Sequence, residues 1–158
     1  MTNHIKSALI ATAIALTGIS TSATAPAFAA DEINLTAGLA VQGYDVISYR
    51  SEEGPLKGSD QFTSVHDGAT YYFASSENLS RFNADPARYV PAYGGYCAYG
   101  VSKGQKFAID PLAYSVVDDV LYLNYNRSIQ SRWSKKKDHH ISEANEKWPG
   151  VKPSVFKR

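Results

Sequence analysis

The chain has one cysteine, Cys97, and one methionine, Met1, in 158 residues. A single thiol allows no internal disulfide, so stability has to come from packing. It also leaves one soft metal ligand in the body of the protein, since Met1 lies in the leader described below. Beyond that leader there is no apolar run near the roughly 20 residues that a membrane span needs. Charge of one sign is missing too: 16 basic residues stand against 15 acidic ones, a net charge of +1. No electrostatic footprint for nucleic acid follows from that balance. Lys152, Lys157 and Arg158 form a basic tail that reads as a solvated terminus.

The first residues read as an export signal. Lys6 and His4 give a weakly basic start, and Ala8 to Ile19 is a short apolar core. Ala27-Phe28-Ala29 is a small-residue cleavage site that predicts a mature start at Ala30. No cysteine stands there to carry a lipid. The organisation expected is a signal peptide over 1–29, a loosely held lead-in over 30–38, a single domain over 39–149 and a basic tail over 150–158. The mature protein is expected in the periplasm or secreted, with no stable membrane insertion after cleavage.

What is abundant is aromatic. Eleven tyrosines, six phenylalanines and two tryptophans suit a small domain whose core lies close to its surface. Phe62 to His66 alternates, with Phe62, Ser64 and His66 on one face and Thr63 and Val65 on the other. Asp67-Gly68 is a tight-turn dipeptide, and the aromatic Ala69 to Ala74 reads as the return strand. Ser75 or Ser76 can cap a helix carrying Leu79 and Phe82 on one face. Asp85-Pro86 looks like a second helix start, stopped by Pro91. Leu39 to Tyr49 predicts a turn at Gln42-Gly43-Tyr44 and then a short strand or helical turn. Asp110-Pro111 is expected to cap a single turn. Tyr114 to Val117 and Val120 to Tyr125 flank Asp118-Asp119 as a second hairpin.

From Asn126 the pattern turns helical, with Ile129, Trp133, His140 or Ile141, Ala144 and Trp148 near one stripe. Lys135 to Lys137 predicts a break with Asp138 capping a second helix, and Pro149-Gly150 a stop. Phe73, Phe82, Tyr89, Leu121, Leu123 and Trp133 are the expected core.

Asp67 to Tyr89, DGATYYFASSENLSRFNADPARY, resembles the YHS domain family. The aromatic strand, the polar helix start, the helical phenylalanine and the closing D-P-x-x-Y carry the likeness. The wider chain is similar to that family's exported stand-alone members through Gly43-Tyr44-Asp45, Tyr93 to Ala98 (YGGYCA), Leu121 to Asn126 (LYLNYN) and a Trp-containing tail. The resemblance implies a small α+β fold with β-hairpins, a short helix of the family type and a C-terminal helical segment. It also implies heavy-metal handling, chiefly of copper, and a metal-transport or metal-handling protein as partner. Many members carry a Cys pair at the strand-to-helix junction. Here those positions fall on Ala74 and Asn78, neither of which supplies a thiolate.

Among the remaining residues, Cys97 is the one soft ligand and strong nucleophile, or else a small buried hydrophobe. His66 is a solvated turn residue or lines a cleft. His139 and His140, about 100° apart on a helix, read as terminal or surface residues that do not share a ligand. A metal site of Cys97 with His66 suits copper, since thiolate and imidazole are ligands for it. Tyr44, Asp45, Tyr93, Tyr96 and Tyr99 either line a polar pocket near Cys97 or sit in the core with satisfied hydroxyls. No nucleophile elbow, phosphate-cradling loop or dinucleotide fingerprint is present. Three readings follow: a metal-handling module using Cys97, a non-metal module binding a small ligand or protein through its Tyr/Gly-rich surface, and, with least support, a thiol-dependent enzyme.

Overall fold

The computed structural model describes residues 32–156. The signal segment with its Ala27-Phe28-Ala29 site, and Lys157 and Arg158 of the tail, lie outside the described residues. The fold is a small α+β domain built from a four-stranded sheet, a separate hairpin and five α-helices.

The lead-in is held rather than loose. Strand β1 (Leu35–Thr36) pairs antiparallel with β2 (Leu39–Ala40), and β2 joins the main sheet in parallel through Leu39 and Thr70. Asn34 ties the same segment down: its backbone N–H reaches the Gly94 carbonyl at 2.8 Å and its side-chain amide the Gly95 carbonyl at 3.1 Å. A tight turn over Val41–Gly43 follows, and of the two forms open after it, the chain takes a single helical turn at Ser48–Arg50.

The central hairpin forms as its pattern dictates. β3 (Ser59–His66) and β4 (Ala69–Phe73) meet at Asp67 and Gly68, both at positive φ, the geometry of a tight hairpin turn. Period-two alternation buries Ala69, Tyr71 and Phe73. Helix α1 (Ser76–Ala84) starts where Ser75 accepts the Asn78 amide at 3.1 Å. It lays Phe82 against Tyr71 and Phe73, with ring centroids 4.9 and 5.0 Å apart. In α2 (Pro86–Tyr89) the proline opens the helix, but the Asp85 side chain makes no capping bond.

Gly94 lies at φ +59° under the Glu32 carbonyl, which a Cβ there would approach to 2.2 Å. Only glycine lets the N-terminal segment lie this close. Helix α3 (Ala98–Ser102) follows Cys97. β5 (Asp110–Val117) and β6 (Val120–Asn124) form the second hairpin, turning at Asp118 and Asp119. Asp110-Pro111 opens β5 rather than capping a turn: Asp110 Oδ1 takes the Leu112 amide at 2.9 Å, so the chain leaves extended.

α4 (Arg127–Ser134) is capped by Asn126. The break comes where the lysine run predicts it, before α5 (Lys137–Val151). Lys136, not Asp138, stands at the cap, and Asp138 falls in the first turn, where its charge suits the helix dipole. Nor does Pro149-Gly150 stop the helix. Lys152 N–H closes the last turn on the Trp148 carbonyl at 2.7 Å, and Val151 is buried. Lys106 Nζ holds the carbonyls of Lys152 and Ser154, each at 2.7 Å, so the helix end is satisfied beyond the proline.

Phe73, Phe82, Tyr89, Leu121, Leu123 and Trp133 are all buried, as their positions predict. One core lies between the two hairpins and the 41–49 segment, and a second forms where α3, β6, α4 and α5 meet around Trp133. No described helix is long and apolar enough to cross a membrane.

Candidate functional site

Cys97 sits at the start of α3, beside β6, bridged to Leu123. It is 1% exposed. Its Sγ accepts the Tyr125 amide at 3.3 Å and lies 3.8 Å from Asn124 Oδ1, which also takes the Tyr99 amide at 3.3 Å. Burial pushes the thiol pKa up, against the pull of backbone N–H groups from Gly100, Tyr125 and Tyr99. Such a thiol is a weaker nucleophile at neutral pH than a free one. Asn124 Nδ2 is buried without a partner among the described residues. Cys97 borders an open cleft of about 520 Å³ whose walls include Tyr99, Lys103, Gln105, Phe107, Tyr125 and Ile129. No imidazole, carboxylate or second sulfur lines it among the described residues.

His66 ends β3, its Nε2 3.4 Å from Asp67 Oδ2. Its face of the strand turns inward as the alternation predicts, and it packs edge-on to Phe82. It lines a cleft of about 570 Å³ with Tyr71, Tyr93, Trp148, Glu32 and Lys152. This cleft shares no lining residue with the one at Cys97.

The remaining pocket residues are spread out. Tyr99 borders the Cys97 cleft and Tyr93 the His66 cleft, where the Tyr93 hydroxyl meets Asn145 Oδ1 at 2.9 Å. Tyr96 is buried beside Lys106 and Phe156. Tyr44 lies under the Lys57 ammonium at 4.2 Å. Asp45 is wholly buried at the strand-to-helix junction.

One group converges that the sequence reading set aside. His139, His140 and Glu143, in the first half of α5, bring one ligand atom each within 4.8 Å of one another, the only such group of three among the described residues. His139 Nε2 and His140 Nδ1 stand 3.5 and 3.6 Å from Glu143 Oε2. His140 is not at the surface: it is 7% exposed, edge-on to Tyr99, with Nδ1 3.4 Å from Ser102 Oγ. Adjacent histidines do diverge along a helix, but Glu143 is i+4 to one and i+3 to the other, and both side chains lean to it. That spacing was the readable signal.

The electrostatics leave His140 and Glu143 in ligand form. Burial, then the Lys103 charge, pushes the His140 pKa below its usual value. A hydrogen bond from Lys103 is the main reason that the Glu143 carboxyl is held at about 2. At neutral pH His140 is an uncharged imidazole and Glu143 a carboxylate, the forms that bind metal.

Comparison with known proteins adds one result. Residues 51–93 match the family model of the YHS domain, and the chain carries that domain there. The match spans β3, β4, α1 and α2 and contains His66, while Cys97, His139, His140 and Glu143 lie beyond it. No curated protein and no solved structure matches the chain.

Proposed function

We propose that this chain is an exported metal-handling module. The YHS domain is associated with heavy-metal handling. The observation that carries the reading is the convergence of His139, His140 and Glu143 on one point. Two imidazoles and a carboxylate make a recognised donor set for a transition-metal ion.

The finer form of the proposal is a copper or other heavy-metal site that includes Cys97, serving a metal-transport or metal-handling partner. Cys97 supplies the only thiolate in the chain, and copper(I) prefers soft ligands. Pairing it with His66 asks two residues from separate clefts to serve one ion. Metal content and titrations with zinc(II), copper(II) and copper(I) on the wild type, Cys97→Ser and His140→Ala decide the site. Loss of copper(I) binding in Cys97→Ser alone supports the thiol site. Loss of divalent binding in His140→Ala alone supports the histidine site. If none binds, metal handling is the wrong reading; if all three bind alike, neither Cys97 nor His140 belongs to the site.

A second reading is favoured by a specific observation. The Cys97 cleft has mainly apolar walls and no converging ligands, which suits a small apolar molecule rather than an ion. Retention of an organic ligand by metal-free protein would select it.

A further inference from the structure

The His139–His140–Glu143 group already holds a cation of its own. Lys103 Nζ lies 2.8 Å from Glu143 Oε2, the same oxygen that both histidines face. Lys147 holds the other oxygen, Oε1, at 3.4 Å. The two lysines are not equivalent. Lys147 is anchored a second time, on the Ser102 carbonyl at 2.6 Å. Lys103 has Glu143 as its hydrogen-bonding partner, and its other neighbour is the Tyr99 ring at 5.7 Å. Its side chain is 43% exposed, so it can leave at little cost.

The donor set narrows the ion. Two nitrogens and an oxygen, without sulfur, suit borderline divalent ions such as zinc(II), copper(II) or nickel(II) better than copper(I). The Tyr99 ring packs edge-on against the His140 imidazole and limits its rotation.

We infer that Lys103 is a displaceable counter-ion of this group: a borderline divalent cation binds His139, His140 and Glu143 by exchanging with the Lys103 ammonium on Oε2. This rests on the metal-handling reading. The displaced ammonium stays beside Tyr99, on the wall of the Cys97 cleft that it already lines. Occupancy of the metal group and of that cleft are therefore linked through one side chain, and any such linkage acts equally in both directions.

The test is zinc(II) affinity of the full chain, measured by competition with a chromophoric chelator at fixed ionic strength. Wild type, Lys103→Met, Lys103→Arg and His140→Ala are compared, with circular dichroism confirming that each is folded. Removing the competing charge in Lys103→Met should tighten zinc about 3- to 10-fold, the scale of a half-exposed ion pair and a nearby like charge. Lys103→Arg keeps the charge and should stay close to wild type. His140→Ala should lose most of the affinity. If His140→Ala loses zinc while Lys103→Met binds no tighter than wild type, the counter-ion role is wrong and the metal group stands. If His140→Ala binds zinc as wild type does, the group itself is wrong, and the inference falls with it.

Discussion

Asn78 donates its side-chain amide to the Asp45 carboxylate at 2.7 Å, joining the first turn of α1 to a segment 33 residues earlier. The same Oδ2 takes the Ala74 amide at 2.9 Å, and Oδ1 takes the Ile47 amide at 2.8 Å. Ala74 and Asn78 are the positions at which the family resemblance implies a Cys pair. Here a buried carboxylate binds both positions to the core, and the junction serves structure. Asp45→Ala removes the acceptor from three donors. It should cost about 3 kcal/mol or more, because each hydrogen bond to a charged group contributes roughly 1.5–3 kcal/mol and three are lost at once from a wholly buried side chain. Urea denaturation measures it; a loss below about 1 kcal/mol would show that water replaces the carboxylate easily.

Phe82 is fully buried between Tyr71, Phe73 and the His66 ring. Truncation leaves a cavity bounded by a strand and a helix that are both hydrogen-bonded in place, so collapse is limited. Phe82→Ala should destabilise by roughly 3–5 kcal/mol in denaturant titration. A small loss would mean that α1 slides inward.

Much of this fold was readable because its signals are local. Asp67-Gly68 and Asp118-Asp119 make the two turns, Ser75 caps α1, and period-two alternation turns His66 inward while leaving Val65 68% exposed. What escaped depends on distant partners. The stripe on α5 allowed either His140 or Ile141 to face inward; the packing of α3 on α5, with Tyr99 and Ser102 against His140, decides it. Pro149 signals a stop by its missing N–H, yet Lys106, far earlier in the chain, satisfies the carbonyls beyond it. The Cys97 cleft was invisible for the same reason: its walls come from α3, the following loop, Tyr125 and α4.

Gly94 carries the N-terminal strap. A methyl group at this residue would lie 2.2 Å from the Glu32 carbonyl, a backbone atom that cannot swing away, and φ is +59°. Gly94→Ala should cost about 1–3 kcal/mol through the strained backbone alone, with the clash in addition. The displaced strap should also release Asn34 from Gly94 and Gly95. Limited proteolysis should then cut ahead of Leu39 faster than in the wild type; equal rates would show that the strap survives.

Processing can be checked directly. The leader predicts cleavage after Ala29. Protein recovered from the periplasm should have the intact mass of a chain beginning at Ala30, or one residue away. A mass that retains Lys6 would remove the export part of the proposal.

His140 makes stability depend on pH. In the folded protein its pKa lies below the usual 6.5, because burial and Lys103 disfavour the imidazolium, outweighing Glu143. Lys103, His139, Glu143, Ser102 and Tyr99 are the groups around it. As pH falls through 6.5 the unfolded chain takes up a proton that folded His140 refuses, so stability is complete above that value and is lost below it. Glu143 acts with the same sign further down: its carboxyl is held at about 2 against 4.5 when unfolded, so its contribution is present above 4.5 and disappears as pH approaches 2. In chelator-treated protein the wild-type Tm should therefore drop between about pH 7 and 5, before the carboxylates titrate. His140→Gln should flatten that drop even if its Tm at pH 7.5 is lower. Parallel curves for the two proteins would show that His140 takes up its proton as readily folded as unfolded.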